Sequence, residues 1–449
     1  MSLHCQPSAA DTYHFKHMKQ NLYELYRRQG ALTTDSRDCP EGSIFFALKG
    51  ESFDGNKFAA SALEKGCAYA VVDDATAVPE GDNRYILVDD VTTALQHLAR
   101  DHRRQFNIPV VGITGTNGKT TTKELVSRVL AEQMSVLATE GNFNNDIGVP
   151  KTLLRINDTH DIAVIEMGAS HPGDIRRLVE TAEPTCGLIT NVGKAHLQGF
   201  GSFEGVCRTK GELYDFLRTR EDSVVFINSA NPHLMAMAQN LTLIDYASSP
   251  AEGLYVEGEV ISCAPTLTFR WRHAGGEWHR VESQLIGAYN IDNMLAATAV
   301  GLYFGIEPEN IDHALTTYRP TNNRSQLTLT ERNRLVVDAY NANPTSMAAA
   351  IDNFRRMEVS PKMVILGQMG ELGASSHEEH VRVVEMLDEA QFDEVWLVGS
   401  EFAFASNRYR VFENVEEVKQ TLKTNSIEGQ NILIKGSNFT RLYQLPELL

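Results

Sequence analysis

The sequence predicts an α/β protein of three domains: a small α/β N-terminal domain (1–105), a central P-loop-type domain with a mostly parallel sheet (106–319), and a C-terminal Rossmann-like domain (320–449). Three observations predict it. Short apolar runs alternate with helix-period stretches, the pattern of parallel strands joined by covering helices. A glycine-rich turn, Thr114-Gly115-Thr116-Asn117-Gly118-Lys119-Thr120, joins one such run to a helix. The chain of 449 residues is too long for one ordinary core, and at ~150 residues per domain about three domains are expected.

In the first domain Ile44–Leu48 reads as a strand and Gly50–Gly55 as a turn-rich stretch. A helix around Phe58–Lys65 and a strand over Ala68–Val72 follow. The central domain opens with Pro109–Ile113, a short buried strand, and a helix from Thr120 with Leu125, Val126, Val129 and Leu130 on one face. Further strands are expected at Ile162–Ile165, Gly187–Thr190 and Val224–Ile227, an antiparallel stretch near Leu267–Arg272, and a helix over 290–304. In the third domain strands are expected at Leu335–Val337, Met363–Leu366, Val395–Val398 and Ile432–Ile434. Arg319-Pro320-Thr321-Asn322-Asn323 is polar and breaks the helix pattern, so it reads as the linker and as the hinge of a domain closure.

Composition narrows the function classes. Hydrophobic content of 42% is that of a globular protein. A net charge of -17 argues against nonspecific binding to nucleic acid or anionic membrane, while leaving room for an anionic substrate in a local basic pocket. The six cysteines include no Cys-x-x-Cys pair, which suits free thiols in a reducing cytoplasm better than a disulfide framework or zinc site. No signal-peptide pattern and no bilayer-length apolar run is visible, so a cytoplasmic protein is expected, with a monomer as the simplest guess.

In parallel sheets ligands bind beyond the carboxyl ends of the strands, and candidate residues cluster there. The turn 114–120 enters a helix whose free N–H groups and dipole favour an anion. Lys119 would supply charge to phosphates and Thr120 a hydroxyl to Mg²⁺, although Ile113 stands where the general P-loop has its first glycine. Glu166 follows Ala163-Val164-Ile165 and is either a Mg²⁺ ligand or an exposed strand-end glutamate. His196, after Thr190-Asn191-Val192-Gly193, is structural or part of the same rim. Lys210 reads as the start of a helical pattern: a phosphate contact, a solvated residue, or a lysine able to form a carbamate beside a metal. Asn142, Asn144 and Asn145 suit a polar ligand or a turn, and Asn290 a helix cap or a nucleotide contact. Asp338 could accept hydrogen bonds from a ribose, Arg324 could reach phosphates, and Asn341 and Asn343 add amides after the same strand.

With these residues in hand, the chain resembles the Mur ligases, ATP-dependent amide-forming enzymes of bacterial cell-wall precursor synthesis, over nearly its whole length. Gly115-Thr116-Asn117-Gly118-Lys119-Thr120-Thr121 is similar to the family's ATP loop, departure at Ile113 included. The resemblance implies that Glu166 binds magnesium together with Thr120, that His196 and a carbamylated Lys210 hold a second magnesium, and that Lys119, His196 and Lys210 serve catalysis. It implies further that Asn290, Arg324 and Asp338 hold adenine, phosphate and ribose. Gly141–Pro150, Asp338–Pro344 and Leu366–Gly373 resemble the member that joins D-alanyl-D-alanine to UDP-N-acetylmuramoyl-tripeptide through an acyl phosphate. Thr34–Arg37, with Ser36 and Arg37, and Phe53–Gly55 resemble its uridine-nucleotide domain. Asn142, Asn144, Asn145, Asn341 and Asn343 then count as substrate contacts. Gln368 stands where the family usually has aspartate, Lys151 where it has leucine, and Asn438-Phe439-Thr440 departs from the usual continuation. The alternatives are a superfamily ligase for a different amino acid and a nucleotide-binding protein without turnover.

Overall fold

The structure is a computed structural model and describes residues 22–50, 52–249, 253–320 and 326–449. Arg324 and linker residues 321–323 lie outside the described residues. By contact density the chain gathers into two compact units. The first takes the residues up to Ile108 together with 139–158 and 180–183, and the second takes the rest.

The first unit is built on a parallel four-stranded sheet in the order Leu32–Thr33, Ile44–Phe46, Tyr69–Val72, Tyr85–Leu87. Phe45, Ala47, Ala59, Ala62 and Val72 form its core. Helix Val91–Arg103 starts at Asp90, whose carboxylate accepts the Thr93 N–H, and buries Val91, Leu95, Leu98 and Ala99 at helical spacing. The turn-rich stretch contains a small antiparallel pair, Lys49–Gly50 with Phe53–Asp54.

The second unit holds two sheets. The larger has nine strands, ordered 279–286, 266–273, 256–263, 242–247, 224–228, 186–189, 110–114, 162–166, 136–138. Every pairing from 256–263 onward is parallel, and only those made by 266–273 are antiparallel. Strands Val110–Thr114 and Ile162–Glu166 are buried at every residue, as continuous apolar runs under covering helices must be. Leu125, Val126, Val129 and Leu130 of helix Lys119–Leu130 pack on that sheet, the face expected from their spacing. Strands 242–247, 256–263 and 279–286 carry no strong sequence signal. Charged and small polar residues interrupt them, and burial comes from one face only.

The smaller sheet has six strands in the order 326–329, 334–338, 431–435, 362–367, 394–398, 410–412. All pairings but the first are parallel. The four strands expected there are all present, with ends moved by a residue or two.

Candidate active site

Strand Val110–Thr114 pairs with Cys186–Ile189 on one side and Ile162–Glu166 on the other, so the loop leaving its carboxyl end sits at a switch point of the sheet. Gly115 there has φ +145°, and a Cβ would stand 2.0 Å from Thr190 Oγ1. Gly118, at φ +77°, would push a Cβ to 2.7 Å from Asn293 Oδ1. The turn begins after Thr114, within the sheet, so Ile113 is simply a buried strand residue.

The loop is held by the segment after the neighbouring strand. Thr116 N–H donates to Asn191 O (2.9 Å), Asn117 N–H to Asn191 Oδ1 (3.0 Å), and Thr190 Oγ1 donates to Asn117 O (2.6 Å). Lys119 Nζ donates to Gly115 O at 2.8 Å and Thr116 O at 3.0 Å, folding the ammonium over the loop. Thr121 is buried in the same first turn. Fixed glycines, oriented amides and a lysine at a helix start make an anion cradle.

Glu166 is the last residue of its strand and is 1% exposed, which overturns the reading of an exposed strand end. Thr120 Oγ1 donates to Glu166 Oε1 at 3.1 Å. A hydroxyl and a carboxylate are the hard oxygen donors Mg²⁺ takes, with phosphate and water completing its shell. Among the described residues no group of three or more His, Cys, Asp or Glu is gathered to hold a metal.

Lys210 corrects two expectations. It lies in the middle of helix Phe203–Arg218, which starts at Ser202, and it is 2% exposed rather than solvated. Its Nζ donates to Ala169 O at 3.4 Å and stands 5.5 Å from the Phe200 ring centre. Burial, then the Lys119 charge, pushes its amine well below the usual lysine range. Phe200 also meets His196, edge to face, with ring centres 6.2 Å apart. His196 sits in left-handed backbone (φ +49°), and its Nδ1 is 2.5 Å from Glu371 Oε2. That pairing holds the Glu371 carboxyl below its usual range.

The rim of the six-stranded sheet faces the same loop. Asn343 caps helix Pro344–Arg356 in a capping box with Ser346, and its Nδ2 donates to Asn117 Oδ1 at 2.7 Å. Asp338 pairs with Lys435 at 2.6 Å on adjacent strands, and Lys435 also donates to Asn341 O at 3.3 Å. Beside them opens a cleft of about 770 Å³ lined by His196, Tyr340, Asn341, Gln368, Glu371 and Phe439, among others.

Other expected residues are placed differently. Asn290 is 2% exposed and makes no side-chain cap. It donates to Ile286 O and accepts from Asn293 Nδ2, so it supports the loop from behind through Asn293. Asn145 forms a turn, its Oδ1 accepting the N–H groups of Ile147 and Gly148. Asn142 and Asn144 share that turn, a backbone hydrogen bond joining them, and all three belong to the first unit. Ser36 and Arg37 also lie in that unit, where Arg37 pairs with Asp35 at 2.7 Å. Sequence reasoning passed over Asn191, Asn293, Glu371 and Lys435. An acid or amide after each buried strand was the available signal for Asn191 and Glu371. Asn293 and Lys435 become visible only through their partners.

Comparison with known proteins agrees with this geometry. The Mur ligase middle domain matches residues 113–301, the Mur ligase glutamate ligase domain 323–438, and the Mur ligase family catalytic domain 30–103. The chain is 34% identical over 425 residues to the UDP-N-acetylmuramoyl-tripeptide–D-alanyl-D-alanine ligase of Bacillus subtilis, covering 92% of each chain. The chain belongs to the Mur ligase family. The ligase of the same name from Escherichia coli is 33% identical, with 93% of each chain covered. Among solved structures, MurF from Acinetobacter baumannii superposes with a TM-score of 0.84 at 31% identity, over 93% of this chain and 92% of that one. MurF from Thermotoga maritima in complex with ADP gives 0.83 at 26% identity, over 93% and 96%. The fold is therefore the three-domain Mur ligase fold. Among the described residues no helix is long and apolar enough to cross a membrane.

Proposed function

We propose that this protein is the ATP-dependent ligase that joins D-alanyl-D-alanine to UDP-N-acetylmuramoyl-tripeptide in peptidoglycan precursor synthesis. The observation that carries the reading is the anion cradle of Gly115–Thr121 with Thr120 hydrogen-bonded to the buried Glu166, in a chain similar along 92% of its length to a ligase of that name. Three domains, 1–105 for the UDP-linked substrate, 106–319 for ATP and 320–449 completing the ligase site, are part of the proposal. So is a cytoplasmic location, where ATP and reduced thiols are available.

Joining a carboxylate to an amine is uphill at neutral pH without activation. In the proposed course an oxygen of the tripeptide carboxylate attacks the γ-phosphorus of ATP, and ADP leaves. The uncharged amine of the dipeptide then attacks the acyl phosphate carbon, inorganic phosphate departs with the carbon–oxygen electron pair, and the nitrogen gives up one proton to solvent to leave the amide. Lys119 and the loop amides hold the β- and γ-phosphates, and the positive end of helix Lys119–Leu130 adds to their field. Thr120 and Glu166 would hold one Mg²⁺, and His196 with Lys210 a second. Bound Mg²⁺ supplies neutralisation of phosphate charge. The depressed basicity of Lys210 favours the neutral amine that carbamate formation with CO₂ requires. Asp338 is assigned to the ribose, Arg324 to phosphate and Asn290 to the adenine side, where direct contact requires its amide to turn from Asn293. Ser36 and Arg37 are assigned to the uridine nucleotide, and Asn142, Asn144, Asn145, Asn341 and Asn343 to the peptide substrate.

The test is ADP formation over a matrix of UDP-muramoyl peptides and amine acceptors. Turnover that needs both a UDP-muramoyl-tripeptide and D-alanyl-D-alanine is expected. Equal stimulation by free amino acids points to another superfamily ligase, and ATP binding without substrate-dependent hydrolysis removes the enzymatic reading.

A further inference from the structure

The cleft beside His196 is walled on one side by the segment Gln368-Met369-Gly370-Glu371-Leu372-Gly373, which follows strand Lys362–Gly367. This wall is irregular: Glu371 has φ +60° and Gly373 φ +55°. Without a regular hydrogen-bond ladder its shape depends on what its backbone groups find. Gln368 N–H reaches Val398 O at 2.9 Å, and Gly370 N–H reaches Ser437 Oγ at 3.1 Å. Between them Met369 N–H donates to Nε2 of His380 at 3.0 Å.

His380 lies one turn into helix Ser376–Ala390 and is 0% exposed. Its other ring nitrogen, Nδ1, is 2.7 Å from Ser376 O, a carbonyl that only accepts. The two contacts leave one tautomer: the proton on Nδ1, the lone pair on Nε2. The ring also packs edge-on against Phe402, with centres 4.8 Å apart. Its neighbour Glu379, also buried, accepts from Lys194 at 2.8 Å, and Lys194 lies on the His196 segment. The first turn of one helix therefore grips both walls of the cleft, through Glu379 on the His196 side and His380 on the Glu371 side.

We infer that His380, in its neutral Nδ1–H form, is a positioning residue for the amine half of the ligase site: it holds the 368–373 wall so that Glu371 meets His196 and the cleft is formed before the amine arrives. The inference rests on the ligase reading for its substrate and on geometry for the wall itself. A second proton on Nε2 would set a donor against the Met369 N–H, so the hold fails when the ring is charged. The groups facing the ring are the Ser376 carbonyl, Glu401 (3.9 Å from Nδ1), His377 and Glu379; burial, aided by His377, outweighs the other three and lowers its pKa below the ordinary histidine value. The sign follows: the hold is complete above the ordinary histidine range and is lost as pH falls through the depressed pKa.

The test compares His380→Gln, whose side-chain oxygen can accept from Met369 N–H, with His380→Leu, which cannot. In the free protein, amide hydrogen exchange over 366–374 should rise roughly tenfold or more in His380→Leu and stay near wild type in His380→Gln, because a buried N–H has lost its only acceptor. In the assay, His380→Leu should raise KM for D-alanyl-D-alanine about tenfold while KM for ATP stays within about twofold. As pH falls below the ordinary histidine range, wild type should lose apparent affinity for the amine more steeply than His380→Gln, both sharing the slope of the amine's own protonation. Unchanged exchange over 366–374 in a folded His380→Leu protein overturns the inference. If wild type makes no product from D-alanyl-D-alanine, the ligase reading fails, while the exchange experiment still judges the wall.

Discussion

The phosphate loop and the cleft wall perform similar tasks by different means. The loop on the nine-stranded sheet is short, local in sequence, and shaped by glycine: Gly115 and Gly118 occupy backbone that a Cβ would obstruct. The wall on the six-stranded sheet draws its supports from His380, Val398 and Ser437, which are distant in sequence and converge only in the fold. Main-chain amides do the anion binding, so a short motif marks the loop even though Thr190 and Asn191, after the neighbouring strand, hold it in place. The cleft is shaped by side chains and by backbone held from afar, and no short pattern encodes that shape.

The contrast can be broken by substitution, beginning with the largest effect. Lys119→Ala should cost about 3–4 kcal/mol of transition-state stabilisation, read as kcat/KM for ATP in steady state, since one preorganised charge on the transferring phosphate is lost. Near wild-type turnover would defeat the assignment of the loop. On the other sheet, Lys435→Met should lower stability by about 3 kcal/mol, seen as a drop in the denaturant midpoint, because Asp338 loses its cation in a largely buried setting. Asp338→Asn in the same background should recover part of that loss.

Lys210→Ala should abolish most activity and regain some of it with added short carboxylic acids if a carbamate is the working form. Rescue by amines and not by acids would mark the lysine as a cation. The smallest effect belongs to Arg37→Ala. Its side chain is 87% exposed, so the melting temperature should not move, while KM for the UDP-linked substrate rises if the residue touches it. A change in thermal stability there would show that the Asp35–Arg37 turn does structural work.

Legibility followed the same division. The strands Val110–Thr114 and Ile162–Glu166 were readable because a strand buried on both faces is a continuous apolar run, and the helix after the loop because its apolar residues repeat at helical spacing. The solvated alternative for Lys210 arose because charge suggests solvent, and only helix Phe203–Arg218 packing beside Phe200 reveals a buried amine. Asn290 was half read: its importance was visible, but its partner Asn293 and the loop behind it were not.

The sequence by itself determined the alternation of strands and helices, the phosphate loop and the acid that follows the next buried strand, because periodicity and glycine placement are local constraints on backbone and burial. Only the tertiary structure decided which groups meet: Thr120 with Glu166, His196 with Glu371, and the Met369 N–H with His380. Those pairings depend on the register and packing of segments far apart in the chain; Thr120–Glu166 and Met369–His380 also bury polar groups, which is tolerated only when a partner is in reach.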